Sequence, residues 1–188
     1  MNLTATVTLN DGTKIPAIGF GTNVLKGPSG TNVIKTALEM GYRLIDTAQS
    51  YGNEEEVGQA VKESGIGREE VFITTKIDDE NQGYQSTIES FNISLEKLQL
   101  DTLDLLLIHW PNIDNFDYSI ATWKALIELK SSGRVNAIGV SNYTPKLIQQ
   151  TIDASGVAPA VNQIEFHPFL FQKDLLRYCQ EQDILIEA

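Results

Sequence analysis

The chain has 188 residues, 41% of them hydrophobic and 21% charged, enough for one domain over residues 1–188 with a substantial core. Its formal net charge of −11 argues against nucleic acid as a bulk partner, since phosphates require basic surface; a local basic pocket for one phosphorylated cofactor remains compatible with it. Cys179 is the only cysteine, which excludes an internal disulfide and fits a reducing, cytoplasmic setting. With no basic-then-apolar leader and no long apolar run, neither a secretory signal nor a membrane span is expected.

Residues 4–16 read as a hairpin: Thr6 to Leu9 favours strand, Asn10-Asp11-Gly12 is a turn signal, and Thr13 to Ile15 returns. Ile18 to Thr22 is a short strand rich in glycine. From there strand, loop and helix recur. A helix near 30–40 stops at Gly41, a plausible C-cap. The strand 43–47 leads to a helix near 54–64, with Asn53 as the cap and Glu56 at the reciprocal capping-box position. The strand 71–75 precedes a helix near 84–98, where Tyr84, Ile88, Phe91, Leu95 and Leu98 recur at helical spacing. Leu103 to Ile108 is almost uninterruptedly apolar, as a parallel strand covered on both faces requires. A helix near 118–131 carries Ile120, Trp123, Ile127 and Lys130 and ends before Gly133. Val135 to Val140 is the next strand, and Thr144-Pro145 supplies a cap and an N1 proline for another helix. Ala160 to Ile164 is a strand, 173–182 a helix, and Ile184 to Ile186 begins a further strand.

Strands and helices that alternate in this way make parallel βαβ units. Both an open doubly wound sheet and a barrel fit. No G-x-G-x-x-G follows Gly19-Phe20-Gly21, which weakens the dinucleotide-fold version of the open sheet. Polar residues gather where strands end, at Asp46, Lys76, His109, Ser141-Asn142 and Gln163, and barrel enzymes build their sites at that face. The expectation is therefore an α/β fold, a (β/α)8 TIM barrel preceded by an N-terminal β-hairpin. Such a barrel takes about 250 residues, so the sequence reads as one truncated in the seventh strand.

Four residues carry chemistry. Asp46 lies in an apolar strand and needs a partner there. Lys76, at the end of the next strand, is the natural one; alone, the two amount to no more than a structural ion pair. Tyr51 follows Asp46 in a loop, where a tyrosine by itself only packs. An ammonium beside a phenol favours loss of the phenol's proton, and an aspartate keeps that ammonium charged and oriented. Tyr51 is then a general acid for a carbonyl oxygen, and His109 a hydrogen-bond donor to the same atom. The set supplies a proton and no electrons, so a hydride source must lie beside it. Ser141, Asn142, Asn162 and Gln163 match the donors and acceptor of a nicotinamide carboxamide, although residues of these types commonly bond nearby backbone instead. Among the described alternatives, a metal site is disfavoured because His109 and His167 are the only histidines and no cluster has ligand spacing.

Gly19-Phe20-Gly21-Thr22, Gly41-Tyr42-Arg43-Leu44-Ile45-Asp46-Thr47-Ala48, Tyr51-Gly52-Asn53-Glu54, Ile73-Thr74-Thr75-Lys76, Leu105-Leu106-Leu107-Ile108-His109-Trp110-Pro111, Gly139-Val140-Ser141-Asn142 and Asn162-Gln163-Ile164-Glu165-Phe166-His167-Pro168 resemble the aldo-keto reductase family, with a flavour similar to its bacterial 2,5-diketo-D-gluconate reductase branch. The resemblance implies NADPH-dependent reduction of an aldehyde or ketone. It implies Tyr51 as general acid, with Asp46, Lys76 and His109 completing a tetrad. It further implies Ser141, Asn142 and Gln163 on the carboxamide, Gly21, Thr22 and Asp46 near the nicotinamide ribose, and Trp110 as a wall of the substrate pocket. Asn23 stands where relatives often place an aromatic in the substrate pocket, so the resemblance implies it as a substrate-binding position with Tyr51, His109 and Trp110 and leaves substrate choice open. Members of the family also continue beyond the last residue here, with an aromatic that stacks on the nicotinamide and a basic loop for the 2′-phosphate and adenine.

Two other classes compete with that reading. A catalytically inactive barrel fragment would serve as a binding or regulatory subunit completed by self-association. Glycoside hydrolysis needs facing carboxylates at strand ends, for which only Glu165 and Glu187 qualify, and it leaves Tyr51, Lys76 and His109 unexplained.

Overall fold

Seven parallel strands follow one another around a curled sheet, each joined to the next by a helix on the outside. The computed structural model describes residues 5–188. The hairpin expected from residue 4 is present as β1 (Thr6–Thr8) and β2 (Lys14–Pro16), antiparallel, with Val7 opposite Ile15; Thr4 lies outside the described residues. Gly12 turns the chain at φ 87°, a backbone region that glycine enters without a Cβ clash. The parallel strands are β3 (Gly19–Gly21), β4 (Leu44–Asp46), β5 (Phe72–Ile77), β6 (Leu103–Ile108), β7 (Val135–Ser141), β8 (Val161–Gln163) and β9 (Leu185–Glu187), hydrogen-bonded in that order. The helices between them are α1 (Gly27–Glu39), α2 (Glu54–Ser64), α3 (Tyr84–Leu98), α4 (Phe116–Ser131), α5 (Pro145–Ser155) and α6 (Lys173–Glu181).

Strand order equal to chain order excludes the doubly wound alternative, which reverses direction at a switch point. The curl is visible in one contact. Gln163 Nε2 of β8 donates to Asp46 Oδ2 of β4 at 3.0 Å. Those strands are four steps apart in the sheet order, about 19 Å in a flat sheet at ~4.8 Å per step.

Side chains alternate between two cores, as the period of two demands. Ile45, Ile73, Leu106, Ile108, Ile138 and Val140 point outward and pack with Leu38, Val57, Phe91, Trp123 and Ile148 of the helices. Leu44, Phe72, Leu105, Leu107, Ala137 and Val161 point inward, and the hairpin adds Leu9 and Ile15 to them. Among the described residues no helix is long and apolar enough to cross a membrane.

The structure corrects several local expectations. α1 begins at Gly27, ahead of residue 30, because Gly27 at φ 63° and a proline in the first turn start it early. It ends as expected: Gly41 at φ 103° and Tyr42 bond back to Leu38 and Ala37, satisfying carbonyls at the helix end. Tyr84 is exposed, and α3 buries Thr87, Ser90 and Ser94 beside Phe91, Leu95 and Leu98, since small side chains let neighbouring helices approach. α4 starts at Phe116 and presents Thr122, Trp123, Leu126 and Leu129 to the core, with Ile120, Ile127 and Lys130 only partly covered. Asn53 does not cap α2, and Glu56 accepts from the Gly27 backbone N–H at 2.7 Å instead of closing a capping box.

A Cβ on Gly58 of α2 would lie 2.4 Å from the Leu98 carbonyl oxygen at the end of α3. Gly→Ala favours an exposed helix by ~1 kcal/mol. Here the obstacle is backbone, so Gly58→Ala is expected to lower unfolding free energy by about 1–3 kcal/mol in a urea titration.

Candidate active site

The inward register of every central strand ends on a polar residue. Leu44 is followed two positions on by Asp46, Phe72 by Thr74 and Lys76, Leu107 by His109, Ala137 by Gly139 and Ser141, Val161 by Gln163, and Leu185 by Glu187. The same parity that builds the inner core therefore delivers these groups to the C-terminal mouth. A cleft of about 620 Å³ runs from there down the inner face of the sheet to Val7 and Ile15 of the hairpin, and Gly21, Asp46, Tyr51, His109, Trp110, Ser141, Asn142, Gln163 and Glu187 line it.

Lys76 is the centre of the site. The residue is fully buried, so its ammonium must be neutralised and hydrogen-bonded within the protein. Nζ lies 2.6 Å from Asp46 Oδ1, 3.0 Å from the Thr47 carbonyl and 3.4 Å from the Tyr51 hydroxyl. Asp46 is held from its other oxygen by Gln163. His109 packs its ring edge-on to Tyr51, centroids 5.8 Å apart, and its Nδ1 lies 3.2 Å from Ser50 Oγ. Burial, and next the charge of Lys76, push the His109 imidazole below the ordinary histidine range against opposing pulls from Asp78 and Asp46, so it is neutral near pH 7.

Two side chains fix the loop that carries Tyr51. Asn53, fully buried, accepts from the Thr47 hydroxyl at 2.7 Å and donates to the carbonyls of Thr22 and Leu25 at 2.7 and 3.0 Å. It joins the loops after β3 and β4, which is why it is not free to cap its helix. Gln49 accepts from the Asp78 backbone N–H and Asn81 Nδ2 and donates to Ser94 Oγ, tying the same loop to the one after β5.

Asp46, Tyr51, Lys76 and His109 thus converge, and Gly21, Trp110, Ser141, Asn142 and Gln163 line the same cleft. Thr22 and Asn23 do not line it. Thr22 is fully buried, with its N–H and hydroxyl on the Asp46 carbonyl and its own carbonyl on Asn53; Asn23 is exposed. Asn162 is turned away, exchanging two hydrogen bonds with the Tyr143 backbone. Ser141 Oγ donates to the Gln163 carbonyl at 2.9 Å. Asn142, at φ 65°, donates to the His109 carbonyl at 3.0 Å. Glu165 is paired with His167 on the surface.

Comparison with known proteins gives the family. The sequence profile described as "Aldo/keto reductase family" matches residues 17–187, and the chain belongs to that family of oxidoreductases. Glyoxal reductase of Bacillus subtilis (strain 168) is 47% identical over 188 residues, covering 100% of this chain and 67% of the relative. A crystal structure of an aldo/keto reductase from Brucella melitensis superimposes with a TM-score of 0.96 at 46% identity, over 98% of this chain and 72% of that one. A Bombyx mori aldo-keto reductase in complex with NADP has a TM-score of 0.91 at 35% identity, over 100% of this chain and 66% of that one. The chain thus spans about two thirds of the length of the relatives it matches.

Glu187, considered in the sequence only as a strand-end carboxylate for glycoside hydrolysis, lines this cleft; the inward parity of Leu185 is the signal that places it there. Its Oε2 is out of solvent with no hydrogen-bond partner among the described residues. Burial first, and then the Asp46 charge, push its carboxyl up to about 7 from an ordinary value of 4.5. The folded chain therefore holds a proton that the unfolded chain releases, and this contribution to stability is complete below pH 4.5 and is lost as pH rises through 7. Glu187→Gln is expected to match wild type in unfolding free energy at pH 4.5 and to exceed it at pH 8 by on the order of 1–3 kcal/mol. Denaturant titrations at the two pH values check it.

Proposed function

We propose that the protein reduces small aldehydes or ketones to alcohols with NADPH, Tyr51 giving the proton. The observation that carries this reading is the buried Lys76 ammonium set between Asp46 and the Tyr51 hydroxyl at the mouth of the cleft. Family membership supports the reaction class, and the NADP bound by the Bombyx mori relative supports the cofactor.

The residues present fit a nicotinamide. A Cβ at Gly21 would meet nothing within 4 Å, which leaves room for a flat ring at the wall of the cleft. Gln163 and Asn142 each engage their amide nitrogen within the protein, while their amide oxygens accept nothing among the described residues. Those oxygens suit the two N–H donors of a carboxamide, and the Ser141 hydroxyl would reach its oxygen by giving up the bond to the Gln163 carbonyl. Gly21, Ser141, Asn142 and Gln163 are therefore the residues that would hold the cofactor, with Asp46 beside them. Thr22, buried and fully bonded, would contribute by fixing the backbone at Gly21 through Asp46. Bound there, the cofactor supplies a hydride to the carbonyl carbon.

The rest of the chemistry belongs to the chain. His109 and Tyr51 face the same cleft, so a carbonyl oxygen can lie against both. Tyr51 transfers its hydroxyl proton to that oxygen as negative charge develops there. The Lys76 ammonium stabilises the phenolate left behind, and Asp46 holds that ammonium in place. Neutral His109 donates a hydrogen bond to the oxygen and competes for no proton. Trp110, half exposed beside His109, would bound the substrate.

Tyr51→Phe removes the transferable proton and nothing that touches the cofactor. It is expected to lower kcat/KM for aldehyde reduction by about 100-fold or more, within the usual range for a general acid. NADPH affinity, read by the change in cofactor fluorescence, is expected to stay within about twofold of wild type. Unchanged turnover would remove Tyr51 from the reaction.

A further inference from the structure

Within the reductase reading above, on which this rests, we propose that Ser50 is a positioning residue: its hydroxyl donates to His109 Nδ1 and thereby holds the imidazole in the tautomer that presents Nε2–H to the substrate oxygen. A neutral imidazole has one N–H and one lone pair, and which nitrogen carries which is decided by its partners. The direction of the shift on His109 makes neutrality the working state, so the tautomer matters. With the proton on Nδ1, the nitrogen facing a carbonyl oxygen would be a lone pair, which repels the charge that develops there. With the proton on Nε2, it is a donor.

Ser50 is the one side chain within hydrogen-bond distance of a His109 ring nitrogen among the described residues, at 3.2 Å from Nδ1. It makes no other hydrogen bond among them; a hydroxyl can donate or accept, and at this solvent-exposed contact the donor role is the one proposed and the tautomer readout below decides it. The loop is not free to wander. Gln49 on one side is bonded to Asp78, Asn81 and Ser94, and Asn53 on the other to Thr22, Leu25 and Thr47. Ser50 and Tyr51 share the short helical turn Gln49–Tyr51, so one rigid turn sets both the acid and the orientation of its companion. The charged groups that reach the ring, Lys76, Asp46 and Asp78, alter its protonation but offer no bond to Nδ1.

The test needs no ligand for its first readout. The chain has two histidines, so nitrogen NMR of the protein at pH 8 gives two ring systems, assigned with His167→Gln. Wild type is expected to show His109 with Nε2 protonated and Nδ1 bare. Ser50→Ala is expected to shift those signals toward a mixture of tautomers and to lower kcat/KM for aldehyde reduction by roughly two- to tenfold, the span of one ordinary hydrogen bond. Ser50→Thr, which keeps the hydroxyl, is expected to restore both. A proton on Nδ1 in wild type, either readout unchanged in Ser50→Ala, or Ser50→Thr behaving as Ser50→Ala would overturn the assignment. A wild-type protein with the Nε2–H tautomer and no carbonyl reduction refutes the reductase reading alone. A reductase with the Nδ1–H tautomer refutes the Ser50 assignment alone.

Discussion

A fully buried ammonium is the constraint around which this fold is arranged. Removing one partner from a buried ion pair typically costs 3–5 kcal/mol, because the other charge stays behind without solvent. Lys76 meets that demand with three oxygens: a carboxylate, a backbone carbonyl and a phenol. The first two come from β4 and the residue after it, the third from the turn that follows. The pairing of β4 with β5 and the path of the loop to α2 are thus fixed by one charge. Gln163 extends the arrangement across the sheet to β8, so the curl of the barrel and the chemistry of its mouth depend on the same carboxylate.

The barrel turns a rule about parity into a site. Inward positions must be apolar where the interior is dry, and Leu44, Phe72, Leu105, Leu107, Ala137 and Val161 are. At the C-terminal ends the interior opens to water, and the same register can carry polar groups. Six consecutive strands, β4 to β9, supply one or more each, which brings residues more than a hundred positions apart into hydrogen-bond contact. Rigidity comes from beneath and beside the mouth. The hairpin packs Leu9 and Ile15 into the inner core, and Asn53 and Gln49 fasten the loop that carries Ser50 and Tyr51.

Much of this was legible in the residues. Strand and helix positions followed from apolar periodicity and from glycine and proline punctuation, and α2, α3 and β6 have the expected limits. The convergence of Asp46, Tyr51, Lys76 and His109 was readable because a charge in an apolar strand demands a partner at the same sheet end. What failed did so where a polar side chain had two possible employers. Asn53 and Glu56 form a capping-box pattern in sequence, yet both bond to loops distant in the chain, a choice that only tertiary contacts decide. Asn162 and Gln163 are adjacent and chemically alike, and strand alternation sends one outward to Tyr143 and the other into the cleft. In α3 and α4 the buried stripe includes serine and threonine, which a count of apolar residues overlooks.

The central claim is that Lys76 acts on the reaction through Tyr51 and not independently of it. A double-mutant cycle on kcat/KM for aldehyde reduction, with Lys76→Met, Tyr51→Phe and the two combined, measures that coupling directly. With residual rates resolved above the uncatalysed reaction, the account predicts that the combined variant is no slower than Tyr51→Phe alone. Losses that multiply, as for two residues working separately, would contradict it.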